Sequence, residues 1–293
     1  MVKHTKLFDY RIRAAISASV DLTITLTDAS DVVTPAAVPT LIPTGSVLQT
    51  ANSIQYISLE DANFAIGESI KTVGARQRVS IVNSTIGVTS GAANQTVTLG
   101  TNYEHNTITL TIISDIWERK ETLGRSISTD KHFIVNVTEN GTAEILFGDG
   151  INGAIPPIGN NIIADYFTTD GLEGNVDENT ITEFVSGLPT FTAPVIKALV
   201  NNTEASSGGL NYEDIERIRQ ALPLSLRTLD RAVTRQDYKD IAVLTPGVDK
   251  ANVFFECGKR VEIFISPSGG GIAQTPLLNS TLTFMDARKM ITT

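Results

Sequence analysis

The sequence predicts a β-rich α+β fold. An N-terminal β barrel or sandwich covers residues 1–204, a short helical segment covers 205–250, and a partial α/β unit covers 251–293. Three observations carry this. Short segments of strict apolar–polar alternation recur through the first two-thirds of the chain. The hydrophobic period lengthens to that of a helix after Ser206. The net charge of -9 lies before residue 205, while the helical segment is balanced.

Taking the elements in order, VDLTITLT (20–27) sets Val20, Leu22, Ile24 and Leu26 on one face and Asp21 with three threonines on the other, the pattern of a half-buried strand. TITLTII (107–113) repeats it with Ile108, Leu110 and Ile112. HFIVNV (132–137), AEILF (143–147) and NIIADYF (161–167) are further strands bounded by turn residues. The first two are joined by ENG (139–141), a short hairpin turn, because Asn-Gly tolerates positive φ. In SSGGLNYEDIERIRQALP, Tyr212, Ile215, Ile218 and Leu222 share one helical face, with Asn211 as cap and Pro223 as stop. The next helix opens on a capping box of Thr234 and Asp237, with Val233 placed to staple onto Tyr238, and ends at Pro246-Gly247. NVFFEC and RVEIFIS then form two strands about a turn at Gly258, and PLLNSTLTFMDARKM forms a last helix with Leu278, Leu282 and Met285 inward.

Composition narrows the function. With 41% hydrophobic and 19% charged residues the chain fills an ordinary core, and no run approaches the ~18 apolar residues of a membrane span. Early positive charge is followed only by weakly apolar AAISASV, so no signal peptide is expected. The single Cys257 forms no internal disulfide. Net negative charge argues against nucleic acid as partner. No Lys or Arg occurs between Lys131 and Lys197, while acids run from Glu139 to Glu183: a solvated face, or a surface for a basic partner.

The motif search finds no chemistry. In FGDGINGAIPPIGN (147–160) a calcium loop counted from Asp149 fails at Ile151, its third position, and no lysine is present for a Walker loop. A metal-free structured turn is expected there, with Gly148, Gly150 and Gly153 where the backbone bends. SPSGGGIAQT (266–275) lacks the dinucleotide glycine spacing and is read as a connector. His4, His105 and His132 are scattered, Ser128–Lys131 lacks the companion motifs of Ser-x-x-Lys enzymes, and Cys257 is read as packing.

The order of motifs nevertheless resembles the baseplate J-like family, wedge proteins of contractile phage tails and related injection machines. Residues 147–176 are similar to its Phe-Gly-Asp-Gly block, here Phe147, Gly148, Asp149, Gly150, Gly153, Pro156, Pro157, Gly159, Gly174 and Asn175. Residues 207–253 resemble its helical central segment through Arg231, Thr234, Asp237, Tyr238, Pro246 and Gly247. RIRAAISASVDLTIT, from Arg11, with the later IPTGS resembles the start of the barrel-like domain more weakly.

The resemblance implies a structural role without catalytic site, cofactor, metal or small-molecule substrate. It implies a place in the virion tail baseplate, assembled in the host bacterial cytoplasm, where copies of this chain and other wedge and hub proteins form a ring around the tail hub and rearrange on contraction. The rival is a tail-associated β-rich hydrolase or carbohydrate-binding protein using residues 139–183 as a cleft. Such a cleft needs an aromatic groove and facing carboxylates, in a chain with one tryptophan, Trp117. The two strands and helix after residue 250 form a thin layer, expected to be completed by a partner.

Overall fold

The computed structural model describes residues 12–100, 102–138, 140–195, 197–256 and 260–289. The expected turn at Gly258, Cys257 beside it, and Arg11 lie outside these residues. The fold is β-rich α+β, with 41% strand and 14% helix, so the sheets set the architecture.

The strands in chain order are β1 (Ser19–Thr27), β2 (Thr40–Ile42), β3 (Val47–Thr50), β4 (Gln55–Ser58), β5 (Ala62–Phe64), β6 (Ile70–Gln77), β7 (Val79–Val88) and β8 (Thr96–Gly100). There follow β9 (Thr109–Ile112), β10 (Asp115–Arg119), β11 (His132–Val137), β12 (Ala143–Phe147), β13 (Asn161–Thr168), β14 (Ile181–Ser186) and β15 (Lys197–Asn201). The C-terminal part holds α1 (Ile215–Thr228), α2 (Arg235–Leu244), β16 (Val248–Glu256), β17 (Arg260–Pro267) and α3 (Thr275–Asp286).

The boundaries expected at 204 and 250 describe sequence order. In space the chain forms two compact units, each drawn from three segments. The first takes residues up to 16, 79–169 and 211–222; the second takes 17–78, 170–210 and 223–293.

The first unit is a seven-stranded sheet in the order β7-β13-β9-β10-β11-β12-β8, antiparallel except for β10 and β11. Alternation in β9 and β12 sends Leu110, Ile112, Ala143, Ile145 and Phe147 into one core with Trp117, Phe133 and Ile162. Each Leu and Ile among them contributes roughly 1.5–3 kcal/mol on burial. Between β11 and β12 the chain turns at Gly141, which takes φ +75, with Thr138 N donating to Thr142 O.

The second unit is a six-stranded antiparallel sheet, β14-β3-β4-β6-β1-β15. β1 lies between β6 and β15, with Leu22 opposite Val73 and Ile24 opposite Val200, and all four of its expected inward residues are buried. A small hairpin of β16 and β17 packs one face on α2 and α3 around Tyr238, Ile241, Val253 and Met285.

Three expectations for the helices are corrected. α1 starts at Ile215, and its cap is Asp214, whose Oδ1 accepts the Arg217 N–H at 2.8 Å; Asn211 precedes it. Pro223 lies inside α1. A proline removes one helical hydrogen bond, but the following turn is anchored by an ion pair from Arg227 to buried Asp240 of α2. In α3 the inward residues are Leu277, Thr281 and Met285, while Leu278 and Leu282 are exposed. Thr281 tolerates burial because its hydroxyl donates to Leu277 O at 2.9 Å.

Candidate functional site

The residues that the sequence singles out fall in three places. In the first unit, Phe147 ends β12 in the core, edge-on to Trp117 at 5.3 Å. The chain then folds back sharply. A Cβ on Gly148 would lie 2.3 Å from the carbonyl carbon and oxygen of Gly153, so only glycine permits this approach. Gly150 and Gly153 take φ +87 and +88, and Gly150 N donates to Gly153 O.

Asp149 holds the turn through Oδ1, which accepts the N–H groups of Asn152 (2.7 Å) and Ile151 (2.9 Å). These bonds keep its carboxyl below the ordinary carboxylate range. The loop is tied outward as well, through Gly153 N to Ile127 O and Ala154 N to Asp130 O. Past Pro156 and Pro157, Thr89 donates to Pro157 O and Gly159 N donates to Thr89 O. Asp149 thus serves main-chain donors at one oxygen, and among the described residues no group of three metal-ligating side chains forms.

In the second unit, Gly174 and Asn175 end a single 3-10 turn, Gly171–Gly174. Asn175 Nδ2 donates to Leu172 O and Gly209 O, and its Oδ1 accepts Gly209 N at 2.9 Å. Gly209 in turn leaves no room for a side chain, since a Cβ would meet Gly171 O at 2.3 Å. The Gly174 carbonyl accepts from Tyr56 at 2.5 Å and from Ser206 at 3.1 Å, and Ser206 Oγ accepts Val176 N. Burial pushes the Tyr56 hydroxyl far above its usual range. Nearby Asn202, fully buried, accepts from Thr180 N and Ile181 N and donates to Asp177 O and Glu204 O.

The third place is the start of α2. Thr234 Oγ1 accepts Asp237 N, and Asp237 Oδ2 accepts Thr234 N at 2.8 Å, a reciprocal capping box. Those bonds lower the Asp237 pKa. Tyr238 is buried and meets Phe255 edge-on at 5.5 Å, while Val233 is exposed and outside the cluster around Tyr238. Arg231 is exposed, and its N–H donates to Thr228 O. After Pro246, Gly247 turns the chain with φ +87, where a Cβ would press on Leu277 at 2.9 Å.

One arrangement was not legible in the sequence. Ser126 Oγ lies 2.8 Å from His132 Nδ1, and His132 Nε2 lies 3.5 Å from Glu118 Oε2. The connectivity is that of a serine–histidine–acid relay, but Ser126 is only 8% exposed and offers a substrate little access. The arrangement fastens the loop before β11. Acids of the 139–183 stretch are likewise drawn into local bonds: Asp165 accepts Asn83 N, Asp170 accepts Gln77 Nε2 and Glu183 accepts Gln49 Nε2. Trp117 is buried in the first core and offers no sugar-stacking face.

No protein-family model matches the chain, and no curated protein matches it. Among solved structures the chain is similar to one in a cryo-EM structure of the anti-feeding prophage (AFP) baseplate, six-fold symmetrised, with 14% identity and a TM-score of 0.31. That similarity covers 99% of this chain and 58% of the other, so this chain spans less than two thirds of its length.

Proposed function

We propose that this chain is a structural wedge component of a contractile-tail baseplate, of the J-like kind, built into a ring with copies of itself and with other baseplate proteins. The observation that carries the proposal is the use made of the motif residues. Gly148, Asp149, Gly153, Gly174, Asn175, Thr234 and Asp237 are spent on close backbone approach and main-chain hydrogen bonds. Residue types that could hold a ligand instead lock turns, which suits a part that must keep its shape under mechanical load. No catalytic, metal or cofactor role is assigned to them. Two β units with separate cores are also suited to moving as bodies. In this reading the chain resides in the tail of the particle and is assembled in the cytoplasm of the bacterial host. The hydrolase or sugar-binding alternative has less behind it, because Ser126 of the serine–histidine–acid arrangement is buried and the one tryptophan is core.

The test is genetic. The gene is deleted in the cell that makes the particles, and tails are purified and imaged. The proposal expects tails without an organised baseplate, restored by the intact gene. Normal, functional particles lacking this protein would refute it.

A further inference from the structure

The hairpin of β16 and β17 has two outer edges, and they differ. On β16 the outward main-chain groups of Val253 are occupied: its N–H donates to Asn252 Oδ1 at 3.0 Å, and its carbonyl accepts Arg235 Nε at 2.6 Å. That side is blunted by side chains, as soluble proteins blunt exposed strands.

The same fact fixes the phase of the ladder. Val253 pairs with Ile263, Phe255 with Val261, and Ala251 with Ile265. In an antiparallel ladder, pairs that exchange hydrogen bonds alternate with pairs that do not. If Val253 points its groups outward, so does Ile263, and so do Val261 and Ile265 two residues to either side. Among the described residues no side-chain or loop hydrogen bond reaches the outward groups of these three. The outer face beside that edge carries Phe254 and Phe264, edge-on at 5.7 Å and 50% and 57% exposed, with the Arg260–Glu262 ion pair next to them.

We infer that the outer edge of β17 is a docking edge for the β17 of a second copy of this chain, antiparallel about a two-fold axis through Ile263. The choice of a second copy rests on register and charge. Centred on Ile263, the pairing sets Val261 opposite Ile265 of the second copy and Ile263 opposite itself, so all three open N–H and C=O pairs are used. Glu262 then faces Phe264 and Arg260 faces Ser266, with no like charges opposed. Centring on Glu262 would set two carboxylates face to face, which is destabilising. Centring on Phe264 would set Val261 opposite Pro267, which has no N–H. In the favoured register the Phe264 rings are diagonal neighbours, joining the two aromatic pairs into one row. The contact is isologous and closes at two copies. It specifies one contact within the proposed self-association, and the purified chain alone tests it, so its failure leaves the baseplate role standing.

The experiment is sedimentation equilibrium over a wide concentration range, with residue-resolved amide exchange at its two ends. The expected result is a monomer–dimer equilibrium in which the amides of Val261, Ile263 and Ile265 become slower to exchange as dimer forms, while Val253 is unchanged. Phe264→Glu, on the solvent face, sets a carboxylate opposite Glu262 of the second copy twice over and should return the protein to monomer with its thermal midpoint preserved. Three outcomes overturn the inference: a monomer at all concentrations, a dimer unaffected by Phe264→Glu, or protection of the three amides that does not change with concentration. The last would mean that something within the chain covers the edge.

Discussion

His105 shows how a single buried group can set the response to pH. Burial, with the charges of Arg13 and Arg119, lowers its pKa from 6.5 to about 3, and its Nδ1 accepts Ala14 N at 3.4 Å. The unfolded chain takes up a proton below pH 6.5 that the folded chain refuses until about pH 3. The stability this neutral ring provides is therefore complete above pH 6.5 and is lost as pH falls toward 3. The residue as a whole is only half-buried, which moderates the effect. We expect about 2 kcal/mol of lost stability by pH 4, and a flatter acid limb in His105→Gln. Denaturant titrations between pH 7 and 4 measure it; equal slopes in both proteins contradict it. Tyr103, buried and raised to about 12, acts at the other end. Its stability contribution is present below pH ~10 and lost as pH rises above that. At Thr234 the loss of the cap in Thr234→Ala should cost about 1 kcal/mol, seen as a lower chemical midpoint. An unchanged midpoint would show that the capping box does not support α2.

Among the elements, the 147–160 turn depends most on one atom's absence. Gly148→Ala places a methyl 2.3 Å from the Gly153 peptide, and we expect about 3 kcal/mol of destabilisation, at the upper end of overpacking. Ser126→Ala should cost less, about 1 kcal/mol, through the lost bond to His132. Thermal unfolding of both variants checks the order; Gly148→Ala as stable as the parent would mean that the turn can reshape freely. The turn's existence was legible in the sequence because glycine spacing and a missing third ligand are local facts. So were β1 and β12, where alternation reports burial directly, and β11 and β13, which turn residues bound on either side. α1 was harder. Pro223 reads locally as a stop, whereas the Arg227–Asp240 ion pair that anchors the next turn joins separate helices. The inward face of α3 was misjudged by one residue because Thr281 reads as polar, and its bond to Leu277 O is invisible in composition. The Tyr56–Ser206–Gly174 knot joins residues far apart in sequence, so no spacing rule could locate it.

For the whole molecule, the sequence order of barrel, helices and hairpin hides an interleaving. Each compact unit is drawn from three segments, and periodicity within a window carries no information about which windows meet. The motif blocks were visible as patterns, but their use as backbone locks became clear only from the contacts they make. At this scale the account makes one further expectation: if the acidic stretch 139–183 meets a basic neighbour, assembly should weaken between low and high salt, since exposed charges are screened within about 10 Å at 0.1 M. The most direct test of the central claim is a density map of the complete tail tip at side-chain resolution. The account predicts this chain in several symmetry-related copies around the tail axis, with the turns at Gly148 and Asn175 ordered and no ligand density at Asp149. Density for the complete baseplate in which no copy of this chain can be placed would contradict it.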